Sequence, residues 1–290
     1  LLIFMEVNLN NITFIIVTFK SEKIINDCLD TLPVESKKII VENSENIILK
    51  NEIESKYDNI EVILAKNNGM GTSTNIGFNN CKTQFAYVLN PDTRLKKNSM
   101  QTIIETAKQI KDFAIISPLN SKSEYPNFKV NKKYKTLNEN ILEVDHLDGF
   151  SMLINLNKYD SKNLFDENFF LFLENDDLCL KTKKKGEKIY IIKNSSIDHL
   201  GFSSSDQTNY KEMEYLRNWH WMWSKFYYNK KHKGYLFSLL IIFPHLFSGL
   251  IKFLLFILIF NNHKRKIYQS RVSGIINSIT GKSSWLRLNQ

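Results

Sequence analysis

Short apolar runs alternate with segments of helical spacing along the first part of the chain. Ile12 to Phe19 reads ITFIIVTF, an almost continuous apolar and β-branched run that is typical of a strand covered on both faces. From Ser21 to Leu32 the apolar residues recur at helical spacing, and the segment stops at Pro33. Strands that alternate with helices of this length form βαβ units around a parallel sheet. The pattern therefore predicts an α/β fold, with a mostly parallel central sheet flanked by helices.

The same alternation continues further along the chain. Additional strands are predicted at 37–42, 61–65, 84–90, 113–117, 148–155 and 187–193, and additional helices near 45–57, 72–81 and 98–110. Residues 118–140 are polar and irregular, which indicates a hairpin or a loop. The aromatic run at 166–173, DENFFLFL, has the pattern of a buried strand, and residues 195–205 read as a strand that opens into a serine-rich loop.

The composition changes from about Tyr210, where a helical segment rich in Trp and Tyr begins. Two apolar runs, 234–250 and 253–260, follow this segment, and a basic HKRK stretch comes next. The sequence therefore predicts an α/β domain at 1–209 and an aromatic, basic and helical C-terminal region at 210–290.

Composition narrows the range of partners. The formal net charge is +9, but the sequence has no RNA- or DNA-binding motif, and we predict no nucleic-acid partner. The cysteines, Cys28, Cys81 and Cys179, lie too far apart for a zinc knuckle or a disulfide framework, which favours a reducing compartment. The first residues, LLIFMEVN, lack the features of a signal peptide, so we expect the α/β domain in the cytosol.

Carboxylates cluster at the end of the aromatic run, where Glu174, Asn175, Asp176 and Asp177 lead into several lysines and Gly186. Acidic residues in a first helical turn and basic residues in the last turn stabilise a helix through its dipole, which is a purely structural explanation. The functional alternative is a set of acids that serves proton transfer.

Three other features allow both a structural and a functional interpretation. Asp92 follows a predicted strand in the sequence NPD, which is either a type I turn or the place of a carboxylate that holds a divalent cation at a strand end. Gly69 and Gly71 form either an ordinary glycine-rich loop or a close backbone approach to an anion before a helix. His199 is either a structural histidine or a metal ligand.

The order of these motifs resembles that of family 2 glycosyltransferases. From Ile12 to Ser205 the chain carries TFK, VENSEN, NNGMGTSTNIG, LNPDT, DGFSMLI, FDENFFLFLENDDLCLK and IDHLGFSSS in turn. It is most similar to the rhamnosyltransferase-type members that extend bacterial surface polysaccharides. The resemblance implies the Rossmann-like GT-A fold, a nucleotide-sugar donor, a divalent cation (Mg²⁺ or Mn²⁺) and inversion at the anomeric carbon.

The resemblance also implies roles for individual residues. Seven residues are expected at the donor site: Thr18, Glu42, Asn68, Gly69, Asn75, Asn90 and Asp92. The family usually has Asp at the position of Glu42. Asp92 matches the metal-binding acid, and His199 matches the late histidine that completes the metal shell. Gly149 lies where the acceptor pocket is lined.

The catalytic base is expected in the ENDD run, which departs from the commoner E-D-x-D pattern. Asn175 stands where the base Asp often lies, and an amide cannot accept the proton. The base is therefore Glu174 or Asp176, with a preference for Asp176, because Asp177 is expected to brace the helix start. Replacement of Asn175 by Asp is expected to be tolerated, or to raise activity, because it restores the commoner pattern.

The apolar part of the C-terminal region is long enough to cross a bilayer, but Pro244, His245 and Lys252 interrupt it. Basic residues flank both ends, at 230–233 and 264–266, so both ends prefer the cytoplasmic side of a membrane. The pattern favours a re-entrant or in-plane helical hairpin on the cytoplasmic face of a bacterial inner membrane.

Trp219, Trp221 and Trp223 are expected in the headgroup zone of that membrane. The alternatives for the apolar region are a buried helical pair and a homodimer interface. A membrane-seated tail favours an acceptor linked to polyprenyl diphosphate, or a growing polysaccharide.

Two other functions are alternatives to glycosyl transfer. A sugar-phosphate nucleotidyltransferase would need a glycine-rich phosphate loop directly after the first strand, where this chain has TFKSEK. A catalytically degenerate, membrane-attached assembly protein is the non-enzymatic alternative, and the amide at Asn175 is consistent with it.

Overall fold

The computed structural model describes residues 7–122, 124–130, 136–201 and 210–287. The chain forms two compact units. The first, here called the sheet unit, comprises Leu1–Phe165 and Asn175–Ser205, and the second, the helical unit, comprises Asp166–Glu174 and Asp206–Gln290. The N-terminal residues 1–6 and the predicted serine-rich loop from residue 202 lie outside the described residues.

Strands alternate with helices through the sheet unit. Its strands are β1 (Ile12–Thr18), β2 (Lys37–Glu42), β3 (Ile60–Leu64), β4 (Phe85–Leu89), β5 (Thr93–Leu95), β6 (Ile115–Asn120), β7 (Phe128–Lys129), β8 (Thr136–Asn138), β9 (Ile141–Glu143), β10 (His146–Leu147), β11 (Ser151–Asn155) and β12 (Ile189–His199). Its helices are α1 (Ile25–Leu29), α2 (Ile47–Lys56), α3 (Met70–Asn80), α4 (Ser99–Ile110) and α5 (Glu174–Lys184), the last of which starts at the final residue of the helical-unit segment.

The main sheet is mixed and mostly parallel in its first half. Its strand order is β3-β2-β1-β4-β11-β6-β12-β9-β8, and β5 pairs with β12 outside this path. Strands β1 to β4 pair in parallel, β11 runs antiparallel to β4 and β6, and β10 forms a separate two-stranded ribbon with β7. The predicted α/β architecture is confirmed.

Strand β1 explains why the sheet needs helices on both faces. All seven of its residues are buried. Ile12, Phe14 and Ile16 enter one core cluster, while Ile15 and Val17 enter the other. Successive side chains of a strand point to opposite faces, so a continuously apolar strand is stable only when both faces are covered.

Residues 166–173 do not form the strand that their aromatic pattern predicts. They form turns and bends, and Phe172 and Leu173 adopt left-handed backbone angles with φ of 71° and 67°. The side chains instead pack within the helical unit, where Phe169 meets Tyr227 edge to face at 4.9 Å. An irregular segment buries its aromatic rings through tertiary packing, so a run of apolar residues alone cannot distinguish it from a strand.

The first residue of this segment, Asp166, is held by the same helical unit. Its carboxylate accepts hydrogen bonds from Tyr227 Oη at 3.0 Å and from Lys231 Nζ at 2.6 Å. Burial raises the pKa of Asp166, but the hydrogen bonds from Lys231 and Asn168 outweigh it and lower the pKa to about 2.

Three helices form the rest of the helical unit: α6 (Tyr210–Lys233), α7 (Tyr235–Leu258) and α8 (Asn262–Ile279). Met222, Phe226, Ile242 and Ile275 form their common core. At Gly274 the backbones of α8 and α6 approach so closely that a Cβ atom would lie 2.3 Å from a carbonyl oxygen of α6. Only glycine permits this approach.

The tryptophans do not form the exposed cluster that the sequence predicts. Trp219 and Trp223 are only 2% and 3% exposed, and they donate their indole N–H groups to Ser273 Oγ and to the Lys282 carbonyl. Trp221 alone of the three is exposed. Two of these side chains are therefore core residues of the helical unit, because their bulk fills its interior.

Candidate active site

The carboxyl ends of β1, β2 and β4 lie at one edge of the sheet, because the three strands are parallel neighbours. Open α/β sheets bind ligands at such an edge, at the point where the strand order reverses. Here the order reverses at β1 and β4, so the residues that follow them form the candidate site.

Asp92 and His199 meet at this edge. Strand β5 pairs with the end of β12 in a register that sets Thr93 opposite His199. As a result, His199 Nε2 lies 3.4 Å from Asp92 Oδ1. The His199 ring also stacks on Phe150, with ring centroids 4.2 Å apart, which fixes its orientation.

The polar atoms here fit a bound cation. Asp92 is 2% exposed, and its Oδ1 and the Asn90 Oδ1 are buried without a hydrogen-bond partner among the described residues. An unpaired buried carboxylate costs free energy unless a cation or a donor compensates it. Two carbonyl-type oxygens and an imidazole nitrogen suit a divalent ion such as Mn²⁺ or Mg²⁺. In the described part of the chain, no group of three or more His, Cys, Asp or Glu side chains forms a complete metal site.

Thr18 and Glu42 end neighbouring strands and lie opposite each other in the sheet. Thr18 Oγ1 is buried without a hydrogen-bond partner in the described chain. The Glu42 carboxylate accepts hydrogen bonds from the backbone N–H groups of Ser44 at 3.0 Å and Asn46 at 2.7 Å, and from the Ser44 hydroxyl. Glu42 therefore holds the loop that leads into α2, and it can shape a donor pocket through this loop.

The glycine-rich loop contributes differently at each predicted position. Asn68 is exposed, and Gly69 adopts φ of 106° directly before α3, a conformation that favours glycine. Asn75 is buried and clamps the backbone of Phe165: its Nδ2 donates to the Phe165 carbonyl at 2.9 Å, and its Oδ1 accepts from the Phe165 N–H at 3.0 Å. Asn75 thus anchors the chain ahead of the carboxylate run, and its amide is already engaged.

The segment from Leu147 to Phe150 connects the Asp92 region with the start of α5. The Asn90 N–H donates to the Phe150 carbonyl at 2.9 Å. A Cβ atom on Gly149 would lie 3.1 Å from Asn175 Cβ, and Asn175 Nδ2 donates to the Leu147 carbonyl at 3.0 Å. A side chain at position 149 would therefore press tightly against Asn175, and glycine accommodates the close approach.

The three acids of the carboxylate run have different environments. Asp177 is fully buried and forms an ion pair with Lys181 at 3.0 Å, which braces the helix. Glu174 is buried as well and belongs to the helical unit. Asp176 is only partly buried, at 21% side-chain exposure, so it is accessible to a ligand of the sheet unit.

Two residues that the sequence analysis missed contact Asp176. His146 Nδ1 lies 3.2 Å from Asp176 Oδ1, and His146 Nε2 lies 3.2 Å from Asp148 Oδ1. Lys129 Nζ lies 3.7 Å from the same Asp176 oxygen. The sequence signal for them was the spacing His-x-Asp immediately before Gly149, which sets an imidazole close to a carboxylate in the chain.

Cys28 lies beneath the turn that carries Asp92. Its Sγ is 3.7 Å from the Asn90 carbonyl and from Thr93 Oγ1. Burial raises the pKa of the thiol to about 11, so Cys28 is a neutral packing residue and not a nucleophile.

Residues 13–172 match the model of the glycosyl transferase family 2. The chain belongs to this family. The match ends just before Glu174, so the family assignment rests on the sheet unit and the aromatic segment.

Two curated relatives of this glycosyltransferase agree with the assignment. The low-salt glycan biosynthesis hexosyltransferase Agl10 of Haloferax volcanii is 25% identical over 224 residues, which cover 69% of this chain and 72% of Agl10. The rhamnosyltransferase WbbL of Escherichia coli K12 is 25% identical over 208 residues, which cover 61% of this chain and 79% of WbbL.

Solved structures show the same fold. The mannosyltransferase PcManGT of Pyrobaculum calidifontis, in complex with GDP-Man and Mn²⁺, aligns with a TM-score of 0.54 at 8% identity, over 93% of this chain and 87% of that one. S. aureus TarS aligns with a TM-score of 0.50 at 13% identity, over 72% of this chain and only 39% of TarS. The chain is thus a glycosyltransferase with the predicted GT-A architecture.

The contact of Asn175 revises the expectation for its replacement by Asp. A carboxylate cannot donate to the Leu147 carbonyl, and it places two acceptor oxygens against each other. We expect Asn175→Asp to lower the free energy of unfolding by about 1–3 kcal/mol and not to raise turnover. Thermal unfolding and the initial rate of donor turnover measure the two effects.

Asn229→Asp is the matched control, because buried Asn229 also donates to a backbone carbonyl, that of Lys225 at 2.8 Å, but lies in the helical unit. We expect a similar loss of stability there with an unchanged rate. An Asn175→Asp protein that is as stable as the wild type, or faster, would contradict this account.

Proposed function

We propose that this enzyme transfers a sugar, with inversion, from a nucleoside-diphosphate donor to a hydroxyl of its acceptor. A divalent cation held by Asp92 and His199 assists the reaction, and Asp176 acts as the general base. The convergence of Asp92 and His199, 3.4 Å apart at the ligand-binding edge of the sheet, is the observation that carries the proposal.

The cation would rest on Asp92 and His199, with Asn90 Oδ1 as a neighbouring oxygen ligand. When bound, it neutralises charge on the departing diphosphate. The complex of PcManGT with GDP-Man and Mn²⁺ supports this combination of donor and cation for the fold.

We expect Asp92→Asn to weaken Mn²⁺ binding and to lower donor turnover by more than about a hundredfold, because it removes several kcal/mol of charge stabilisation. Calorimetric titration with Mn²⁺ and a rate assay with and without EDTA test this. Asp198→Asn is the control: Asp198 is a strand-end acid beside His199, but it is paired with Lys96 at 2.6 Å. Retention of Mn²⁺ binding by Asp92→Asn, or full activity in EDTA, contradicts the cation model.

Asp176 is the proposed base because it is the acid of the run that combines partial exposure with a fixed orientation. Asp177 is consumed by its ion pair with Lys181. Within the described residues, the contacts of Asp176 with His146 and Lys129 both involve Oδ1, so Oδ2 is the oxygen proposed to take the hydroxyl proton. As the acceptor oxygen attacks the anomeric carbon, the bond from that carbon to the diphosphate breaks.

We expect Asp176→Asn to lower kcat by about 10²–10⁴-fold, the usual contribution of a general base, while donor binding survives. The assay is the hydrolysis of whichever nucleoside-diphosphate sugar the wild-type chain cleaves fastest in a panel of UDP, GDP and dTDP sugars. Glu174→Gln is measured beside it. A normal rate for Asp176→Asn with a large loss for Glu174→Gln would identify Glu174 as the base. Normal rates for both variants would show that the base lies outside residues 174–177.

The names of the relatives support the choice of substrate. One is a rhamnosyltransferase and the other a hexosyltransferase of glycan biosynthesis. A rhamnose-like hexose is therefore the favoured sugar, and a lipid-linked glycan or a polysaccharide is the favoured acceptor.

We further propose that helix α7 attaches the enzyme to the cytoplasmic face of a membrane. By length and composition it is the one helix of the described residues that could cross a bilayer. Many of its apolar side chains are exposed. A stripe of them recurs every three or four residues, and others, such as Phe237, Ile251 and Leu255, lie beside it; the stripe comprises Leu236, Leu240, Phe243, Phe247, Leu250, Leu254 and Leu258. A contiguous exposed apolar surface built from this many large side chains is typical of a membrane- or protein-binding surface.

The packing of α7 favours an in-plane position over a crossing. Its opposite face lies against α6 and α8, with Phe256 stacked on Tyr268 and Gly249 against Val272. A crossing would carry Lys252 and the neighbouring helix with Arg271 into the hydrocarbon, at about 2.5–3.5 kcal/mol for each charge. An in-plane helix buries the apolar face alone and keeps the cations in the headgroup zone.

We expect the double variant Leu240→Ser/Phe243→Ser to lose binding to vesicles of phosphatidylethanolamine and phosphatidylglycerol. The two side chains are 74% and 64% exposed, and burial of each contributes about 1.5–3 kcal/mol. Val34→Ser/Ile48→Ser is the matched control, because these residues are 72% and 76% exposed in the sheet unit. Equal vesicle binding by both double variants would exclude α7 as the attachment site.

A further inference from the structure

His146 lies between two carboxylates and contacts one with each ring nitrogen. Nδ1 is 3.2 Å from Asp176 Oδ1, and Nε2 is 3.2 Å from Asp148 Oδ1. The contact of Nε2 with Asp148 is a hydrogen bond, and the contact of Nδ1 with Asp176 is a close polar contact. The side chain is 7% exposed, which excludes most water as a competing partner.

The local fold builds this arrangement from a short ribbon. Strand β10 pairs antiparallel with β7, in a register that sets Lys129 opposite His146. Asp148 follows two residues later, and its N–H donates to the Asn127 carbonyl at 2.9 Å, which fixes the backbone there. Among the described residues, the carboxylates of Asp148 and Asp176 contact the ring, and the ammonium of Lys129 contacts Asp176.

We infer that His146 is a positioning residue for glycosyl transfer. It fixes the carboxylate of Asp176, and Asp148 in turn orients His146. The inference rests on the proposed role of Asp176 as the base. His146 binds Oδ1 and so sets the direction of Oδ2, the oxygen that receives the acceptor proton. A close partner is needed because the Asp176 side chain could otherwise occupy several rotamers, which would point Oδ2 in different directions.

This arrangement also explains how the chain functions with Asn175 in place of an acid. The Asn175 amide is committed to Leu147 and lies against Gly149, so it is a packing residue. Asp176 is the next position along the helix, and its carboxylate contacts the side chain of His146. The pair His146 and Asp148 supplies the orientation that the site needs at the shifted position.

The test compares His146→Ala, His146→Asn and Asp148→Asn in the full chain, with donor hydrolysis as the readout. We expect kcat of His146→Ala to fall about 10- to 100-fold with an unchanged KM for the donor, a loss typical of the partners that orient site residues. His146→Asn recovers most of kcat, because its amide nitrogen replaces Nδ1 towards Asp176. Asp148→Asn lowers kcat with little change in thermal stability, because the Asp148 side chain is half exposed.

His263→Ala is the matched control. His263 also lies between an acid and a hydroxyl, Glu214 at 3.2 Å and Tyr215 at 2.9 Å, but it belongs to the helical unit. We therefore expect the His263→Ala variant to keep the wild-type kcat. Equal losses for His146→Ala and His146→Asn would reduce His146 to a structural role and overturn the inference. Wild-type kcat in both His146→Ala and Asp148→Asn would overturn it too. If Asp176→Asn itself keeps the wild-type rate, the proposed base has failed instead.

Discussion

The pairing of β5 with the end of β12 determines the chemistry of the candidate site. Asp92 follows β4 in the chain, whereas His199 comes more than a hundred residues later, and only the register of Thr93 against His199 brings them together. Phe150, directly before β11, stacks on His199, and its carbonyl accepts a hydrogen bond from the N–H of Asn90, two residues before Asp92. The buried Asp92 oxygen has His199 at 3.4 Å but accepts no hydrogen bond within the described residues, and burial of such a carboxylate favours a compensating positive charge, so the site suits a cation.

The periodicity of the first half of the chain is sufficient to predict the α/β sheet, because β1 and β4 are apolar on both faces and turn residues end them. The pattern of apolar residues is less informative where tertiary packing determines the local structure. The run at 166–173 has the composition of a buried strand, yet its rings pack against α6 and its backbone turns. Tryptophans such as Trp219 and Trp223 are typical of the membrane–water interface, yet here they fill the core of a helix bundle. In each case a local pattern fits two environments, and only the partner distinguishes them.

The same limit applies to the site residues. The motif order predicts that Asp92 and His199 act together, and the geometry brings them within 3.4 Å. For Asn75 and Glu42 the side chains are instead occupied by backbone partners, which a motif cannot reveal. His146 was missed because its function depends on the ribbon of β7 and β10, strands of two residues each that carry almost no periodic signal.

The aromatic run that precedes the acids is fixed within the helical unit. Asp166 is tied to Lys231 and Tyr227, and Phe169 packs on Tyr227. The acids that follow are positioned by contacts of their own within the sheet unit. There Asn175 at the start of α5 donates to the Leu147 carbonyl, and His146, next to Leu147 in the chain, contacts Asp176. A defined helix start is what an acid such as Asp176 requires in order to meet His146 in one orientation.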